Sequence, residues 1–309
     1  MSRIHEALKK AAEERAPLAS HSPESVMLEV SAEEKAQTQT QAKSVEAAVT
    51  PGAVAKKAGG NIVPPSFADI ASKCAHPTWA LDPRFTVFSG LEGDNSSAER
   101  FRTLRSRLSQ IRDTRPLKKI LVTSSIPAEG KSFIVSNLAQ SFVRQENRRV
   151  LLIDADLRAP RLHTALGTSP RPGLAEYLMG QADEYQIIQQ GEEKNLCFIP
   201  YGSETADPSE LLSRQRMRKL LDFVSPAFDW ILLDSPPVLP VHDASILADL
   251  CDGVLFVVRA GATESVVAEK AVAEFRQKNL LGVVLNGTDR GDSYGGYYYD
   301  SEYKSNAVL

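Results

Sequence analysis

Cysteine is scarce. Cys74, Cys197 and Cys251 are the three in a chain of 309 residues. Their odd number, wide spacing and lack of a C-x-x-C pair argue against a disulfide framework and a zinc site, and they fit a reducing compartment. The five histidines, His5, His21, His76, His163 and His242, form no ligand spacing. No apolar run approaches the ~18–20 residues needed to cross a bilayer. The opening M-S-R-I-H-E-A-L-K-K lacks the apolar core of a secretory signal, so a cytoplasmic chain is expected. A net charge of −3 gives no reason to expect nucleic acid as a partner. What is present, 42% hydrophobic and 24% charged residues, is ordinary globular composition.

Residues 2–15 read as a short amphipathic helix with Ile4, Leu8, Ala11 and Ala12 on one face. Such a helix is either marginal and solvated or a docking segment for a partner or membrane surface. From Ala16 to about Pro83 the chain is rich in Ala, Ser, Thr, Gln, Glu and Pro, and a mostly disordered linker is expected, with local docking open to Ile62, Val63 and the stretch 67–70. Order is expected near Phe85. Ser96-Ser97-Ala98-Glu99 reads as a capping box opening a helix with Phe101, Leu104, Leu108 and Ile111 on one stripe. Glu99, Arg102 and Arg105 recur every three residues on an adjoining face, which helix physics alone reads as a charged, solvated surface.

Beyond this helix the pattern alternates. Short apolar runs at 119–123, 149–155, 196–200, 230–235, 253–258 and 281–285 suit buried parallel strands. Helical patterns fall between them at 132–145, 173–178, 208–224, 244–250 and 265–278. The expected fold is α/β, doubly wound around a mostly parallel sheet, with ligands at the carboxyl ends of the strands.

One such end carries T-S-S-I-P-A-E-G-K-S, residues 123–132. Strand, small-residue loop and helix with a terminal Gly-Lys-Ser make a phosphate cradle, although Ser125 stands where the usual pattern has its first Gly. Glu129, Gly130, Lys131, Ser132 and Phe133 are the candidate phosphate contacts, with Lys131 reaching the β- and γ-phosphates and the Ser132 hydroxyl binding Mg²⁺. Two further strands close on carboxylates: L-L-I-D-A-D places Asp154 and Asp156, and I-L-L-D-S-P-P places Asp234. P-loop proteins present carboxylates to Mg²⁺ in this way. One of these carboxylates is placed to take a proton, and Arg158 is a candidate for added charge at the phosphates.

Residues 289–309 change character. Tyr294, Tyr297, Tyr298, Tyr299 and Tyr303 stand among Gly, Ser and Asp with no helical or strand period. They read either as a low-complexity tail or as accessible phenols open to chemical modification.

These motifs resemble the bacterial tyrosine kinases of the P-loop type, the autokinases of capsular and exopolysaccharide export. Residues 123–132 are similar to the family's first phosphate motif, with Ala128 in place of a Gly; 151–160 resemble its second and 231–237 its third. Glu99, Arg102 and Arg105 match its E-x-x-R-x-x-R oligomerisation motif, and the tyrosines match its C-terminal cluster. The resemblance implies ATP and Mg²⁺ as cofactors. It gives the metal to Ser132 and Asp156, support through water to Asp234, and activation of the acceptor hydroxyl to Asp154. Asn286 is similar to the residue that reads adenine in related ATPases. It also implies trans autophosphorylation of Tyr294, Tyr297, Tyr298, Tyr299 or Tyr303 within a homo-oligomeric ring.

The implied partners are a separate membrane protein of the chain-length-regulator (polysaccharide co-polymerase) type as activator and a phosphotyrosine phosphatase. The implied location is the inner face of the cell membrane, reached through that partner. The N-terminal helix and linker resemble those of exosortase-associated kinases. The expected division is 1–84 helix and linker, 85–290 kinase domain and 291–309 tail. The rival is a partitioning or septum-positioning switch ATPase, whose loops carry an extra signature Lys where this chain has Ile126.

Overall fold

The computed structural model describes residues 64–88 and 95–288. The amphipathic helix expected at 2–15 and the tyrosine cluster lie outside them. Seven strands form one sheet: β1 Lys119–Ser124, β2 Val150–Asp154, β3 Gln189–Gln190, β4 Leu196–Ile199, β5 Trp230–Asp234, β6 Gly253–Arg259 and β7 Leu280–Asn286. The order is β3-β4-β2-β5-β1-β6-β7, and every pairing is parallel except that of β3 with β4. All six expected strands are present. The two-residue β3 carries no apolar run, and so no sequence signal.

The central strands alternate between two cores. Leu121, Ile153, Leu233 and Phe256 face one side, while Val122, Leu152, Leu232 and Val257 face the other. Nine helices among the described residues cover these faces: α1 Phe67–Lys73, α2 Asn95–Thr114, α3 Lys131–Val143, α4 Leu162–Leu166, α5 Leu174–Met179, α6 Pro208–Ser213, α7 Gln215–Val224, α8 Asp243–Ala248 and α9 Ser265–Ala273. α3 sends Ile134, Val135, Leu138 and Phe142 into one core, where Phe101 and Leu108 of α2 join them. α5, α7, α8 and α9 line the other through Tyr177, Leu220, Leu247 and Ala268. Helices on both faces of a parallel sheet are the doubly wound arrangement. Among the described residues no helix is long and apolar enough to cross a membrane.

Three expectations change. The linker does not run on to Pro83, because α1 is capped at Ser66 by a capping box with Asp69 and buries Ile70 completely. The chain then straps the sheet edge. Ala75 bonds Ile188 and Gln190 beside β3, Ala80 bonds Gly167, and Asp82 bonds Ala165. A Cβ on Gly167 would lie 1.9 Å from the Ala80 carbonyl, so the strap approaches there because the residue is glycine. The strap ends on α3, where the Asn137 amide accepts from Val87 N and donates to Phe85 O.

Second, the helix expected at 208–224 breaks at Arg214, whose backbone is extended (φ −65°, ψ 148°). Leu212 and Met217 are both fully buried in the same core. A five-residue spacing does not repeat on one face of an unbroken helix, and the break brings both back toward the sheet. Third, α2 already includes Asn95, so Ser96 lies within the helix rather than at its cap.

Candidate active site

The middle of the sheet assembles the site. β2, β5 and β1 are neighbours, with Asp154 opposite Asp234 and Asp234 opposite Val122. Two strand-ending carboxylates therefore sit side by side, next to the strand that feeds the phosphate loop. The segment after β5 holds the start of that loop: Thr123 Oγ1 donates to Pro236 O at 2.9 Å, and Val238 N donates to Ser124 O at 2.9 Å.

The loop turns on two left-handed residues, Ala128 (φ 66°) and Gly130 (φ 93°). Ala128 adopts the conformation that a Gly in the family's pattern accommodates freely, at a cost of about 1–2 kcal/mol for an L-residue. Gly130 caps α3, and a Cβ there would lie 2.1 Å from Asn286 Nδ2. The loop amides and the α3 N-terminus form an anion site.

The side chains beneath the loop are paired. Lys131 Nζ lies 3.1 Å from Asp156 Oδ2, an ion pair without hydrogen-bond alignment. Ser132 Oγ donates to Asp234 Oδ2 at 2.5 Å. Asp154 is fully buried; its Oδ2 accepts from Leu162 N at 3.2 Å, and its Oδ1 has no hydrogen-bond partner. Asp234 Oδ1 is likewise buried without one. Burial, then the charges of Asp234 and Asp156, raise the Asp154 carboxyl well above its usual range. Burial pushes Asp234 up to about 7 against the pull of Lys131 and the Ser132 hydroxyl. Two neighbouring carboxylates out of water disfavour simultaneous ionisation.

Buried acceptor oxygens without partners are costly and fit a cation or its waters. Among the described residues no group of three or more His, Cys, Asp or Glu is arranged to hold a metal alone. Mg²⁺ needs no such cage, since one or two carboxylates with waters and substrate phosphates commonly suffice. Ser132 Oγ, Asp156 and Asp234 fit that donor set.

Three of the expected contact residues have their side chains bonded within the protein. The Glu129 carboxylate turns into the protein, accepting from Ile126 N at 2.8 Å and Thr263 Oγ1 at 2.6 Å. Asn286 donates from Nδ2 to the Glu129 carbonyl at 2.9 Å, so its amide braces the loop. Arg158 is committed to the fully buried Asp243, with Nε 2.8 Å from Oδ2 and Nη2 3.2 Å from Oδ1, and Nη2 also donates to Ser209. Asp243, Ser209 and Thr263 escape sequence reasoning because nothing local marks them; each meets its partner across 34 or more residues. Phe133 packs its ring 6.0 Å from Phe101.

On α2, Arg102 pairs with Glu99 at 2.9 Å in solvent. Arg105 departs from that exposed pair and donates from Nη1 to the Ser141 carbonyl of α3 at 2.7 Å. One residue of the expected surface motif thus ties two helices of the same chain.

The profile of the AAA domain matches residues 118–267. Tyrosine-protein kinase YwqD of Bacillus subtilis (strain 168) is 36% identical over 216 residues, spanning 68% of this chain and 90% of its own length. Succinoglycan biosynthesis transport protein ExoP of Rhizobium meliloti (strain 1021) is 33% identical over 231 residues, which are 68% of this chain and 29% of that larger protein. The kinase domain of Escherichia coli tyrosine kinase ETK is structurally similar with a TM-score of 0.59 and 32% identity, over 62% of this chain and 76% of that one. With its phosphate loop and strand-ending carboxylates in one sheet and relatives at this level of identity, the chain belongs to the bacterial tyrosine-protein kinases.

Proposed function

We propose that the protein is an ATP-dependent tyrosine autokinase that phosphorylates the cluster Tyr294, Tyr297, Tyr298, Tyr299 and Tyr303 of a neighbouring copy. The observation that carries this reading is Asp154, a buried carboxylate with a free Oδ1 and raised proton affinity, at the strand end beside the phosphate loop. A phenol has an unperturbed pKa of about 10, so a base with raised affinity suits removal of its proton during attack. Lys131 holds phosphate charge, and its partner Asp156 keeps the ammonium aimed into the site. Ser132 and Asp156 would hold Mg²⁺, with Asp234 supporting it through water. When bound, Mg²⁺ neutralises charge shared by the phosphates. Arg158, anchored on Asp243, braces the segment that carries Asp156.

The ExoP name supports a role in exopolysaccharide biosynthesis and transport; the proposal adds polymerisation control at the inner face of the cell membrane, with a chain-length-regulator protein as activator. Copies associate through the Glu99 and Arg102 face, and a phosphotyrosine phosphatase reverses the modification. Each phosphate adds about −1.5 to −2 charge, and the resulting repulsion loosens the ring.

Incubation with Mg²⁺ and ATP, with and without the activator's cytoplasmic tail, followed by mass spectrometry of the C-terminal peptide, tests the reading. Phosphotyrosine between 294 and 303 is expected in the wild type and none in Lys131→Met. An unmodified peptide with ATP hydrolysis intact would point instead to a switch ATPase, and labelling that survives in Lys131→Met would show that the phosphate site lies elsewhere.

A further inference from the structure

We propose that Thr263 is a positioning residue for nucleotide binding: with Arg259 it locks the phosphate loop through the buried carboxylate of Glu129. The inference rests on the reading of residues 123–132 as a nucleotide-phosphate site.

Glu129 is 2% exposed, and both its oxygens are used. Oε2 accepts from Ile126 N at 2.8 Å and ties the loop to itself. Oε1 accepts from Thr263 Oγ1 at 2.6 Å and Arg259 N at 3.3 Å, which ties the loop to the β6–α9 turn. Further ties come from the same side. Arg259 Nη1 donates to Ala128 O at 3.2 Å, and Asn286 Nδ2 donates to Glu129 O at 2.9 Å. Arg259 and Asn286 stand opposite each other on the last rung of β6 and β7. One corner of the sheet therefore grips the carbonyls of residues 128 and 129 together with the carboxylate of 129.

A phosphate cradle works when its N–H groups converge on the anion and its carbonyls point away. Carbonyls held from outside impose that orientation before any ligand arrives. The lock has a specific load. Ala128 sits at φ 66°, where an L-residue is strained, so a released loop relaxes toward ordinary backbone conformations. The Thr263 hydroxyl is the shortest of the external ties, and it bonds a carboxylate, the stronger class of hydrogen bond.

The test compares Thr263→Val, near-isosteric without the hydroxyl, with Thr263→Ser, which keeps it. Two readouts are taken: amide hydrogen exchange of residues 126–130 in nucleotide-free protein, and affinity for Mg·ADP together with the KM for ATP. Thr263→Val is expected to speed exchange in that loop and to weaken Mg·ADP binding and raise KM by roughly tenfold, the scale of one charged hydrogen bond. kcat changes far less, and Thr263→Ser behaves as wild type. Equal loop exchange and equal affinity in the two variants, or a Thr263→Val defect confined to kcat, overturns the proposal. Failure of the wild type to bind Mg·ADP sinks the nucleotide-site reading instead, and the exchange comparison still judges the lock.

Discussion

Asp234→Asn separates what the site costs the fold from what it does. Burial raises the Asp234 carboxyl from 3.8 to about 7, against the opposing pull of Lys131 and the Ser132 hydroxyl. The folded state then binds more protons than the unfolded state between about pH 4 and pH 7. Stability is fully present below that window, falls as pH rises through it and is level above. A shift of about three units at 1.36 kcal/mol each sets an upper limit of about 4 kcal/mol. Asparagine keeps the shape and an oxygen for Ser132 Oγ but carries no charge. In nucleotide-free, metal-free protein, Asp234→Asn should therefore gain on wild type as pH rises from about 4 to 8. In a domain of this size about 4 kcal/mol corresponds to roughly 8–16 °C in Tm, and relaxation around the charge reduces that. Thermal melts of the two proteins across that range measure the difference, while phosphotyrosine formation is lost in the variant. Parallel Tm–pH curves would refute the reasoning, because they would mean that Asp234 titrates alike in the folded and unfolded chain.

Arg102→Ala removes an exposed pair and should leave Tm within about 1 °C, while light scattering shows smaller assemblies; an unchanged mass would return that face to a solvated surface. Arg105→Ala, by contrast, strips a charged donor from the Ser141 carbonyl and should lower Tm. Ile70→Ala, in the strap helix, should cost about 2–5 kcal/mol, the range for a fully buried aliphatic residue, as read by denaturant melts. A loss under about 1 kcal/mol would show that α1 contributes little to the core.

The strands were legible because burial on both faces leaves continuous apolar runs, as in Ile120-Leu121-Val122 and Ile231-Leu232-Leu233. The site's centre was legible because Lys131, Ser132, Asp154 and Asp234 each close a strand or open a helix, where chain order alone fixes position, and Asp156 follows two residues after such a strand end. The strap was not, since one seven-residue helix in a polar stretch gives a weak period; its Ser66–Asp69 capping box was the available signal. Nor were the anchors Asp243 and Thr263. Their partners lie 85 and 134 residues away, and polar pairs that meet only through the tertiary fold leave no local pattern.

β7 closes the sheet as an edge strand, only half-buried along its length, while Asp154 and Asp234 end strands in the middle. Sheets open from their edges first, since local unfolding draws on the least buried elements. A fluctuation that peels β7 away takes Asn286 from the Glu129 carbonyl and leaves Asp154 and Asp234 in place. The β7 brace on the phosphate loop and the pair of strand-ending carboxylates therefore belong to cooperative units of different stability, so one corner of the loop can loosen while the centre of the sheet stays intact.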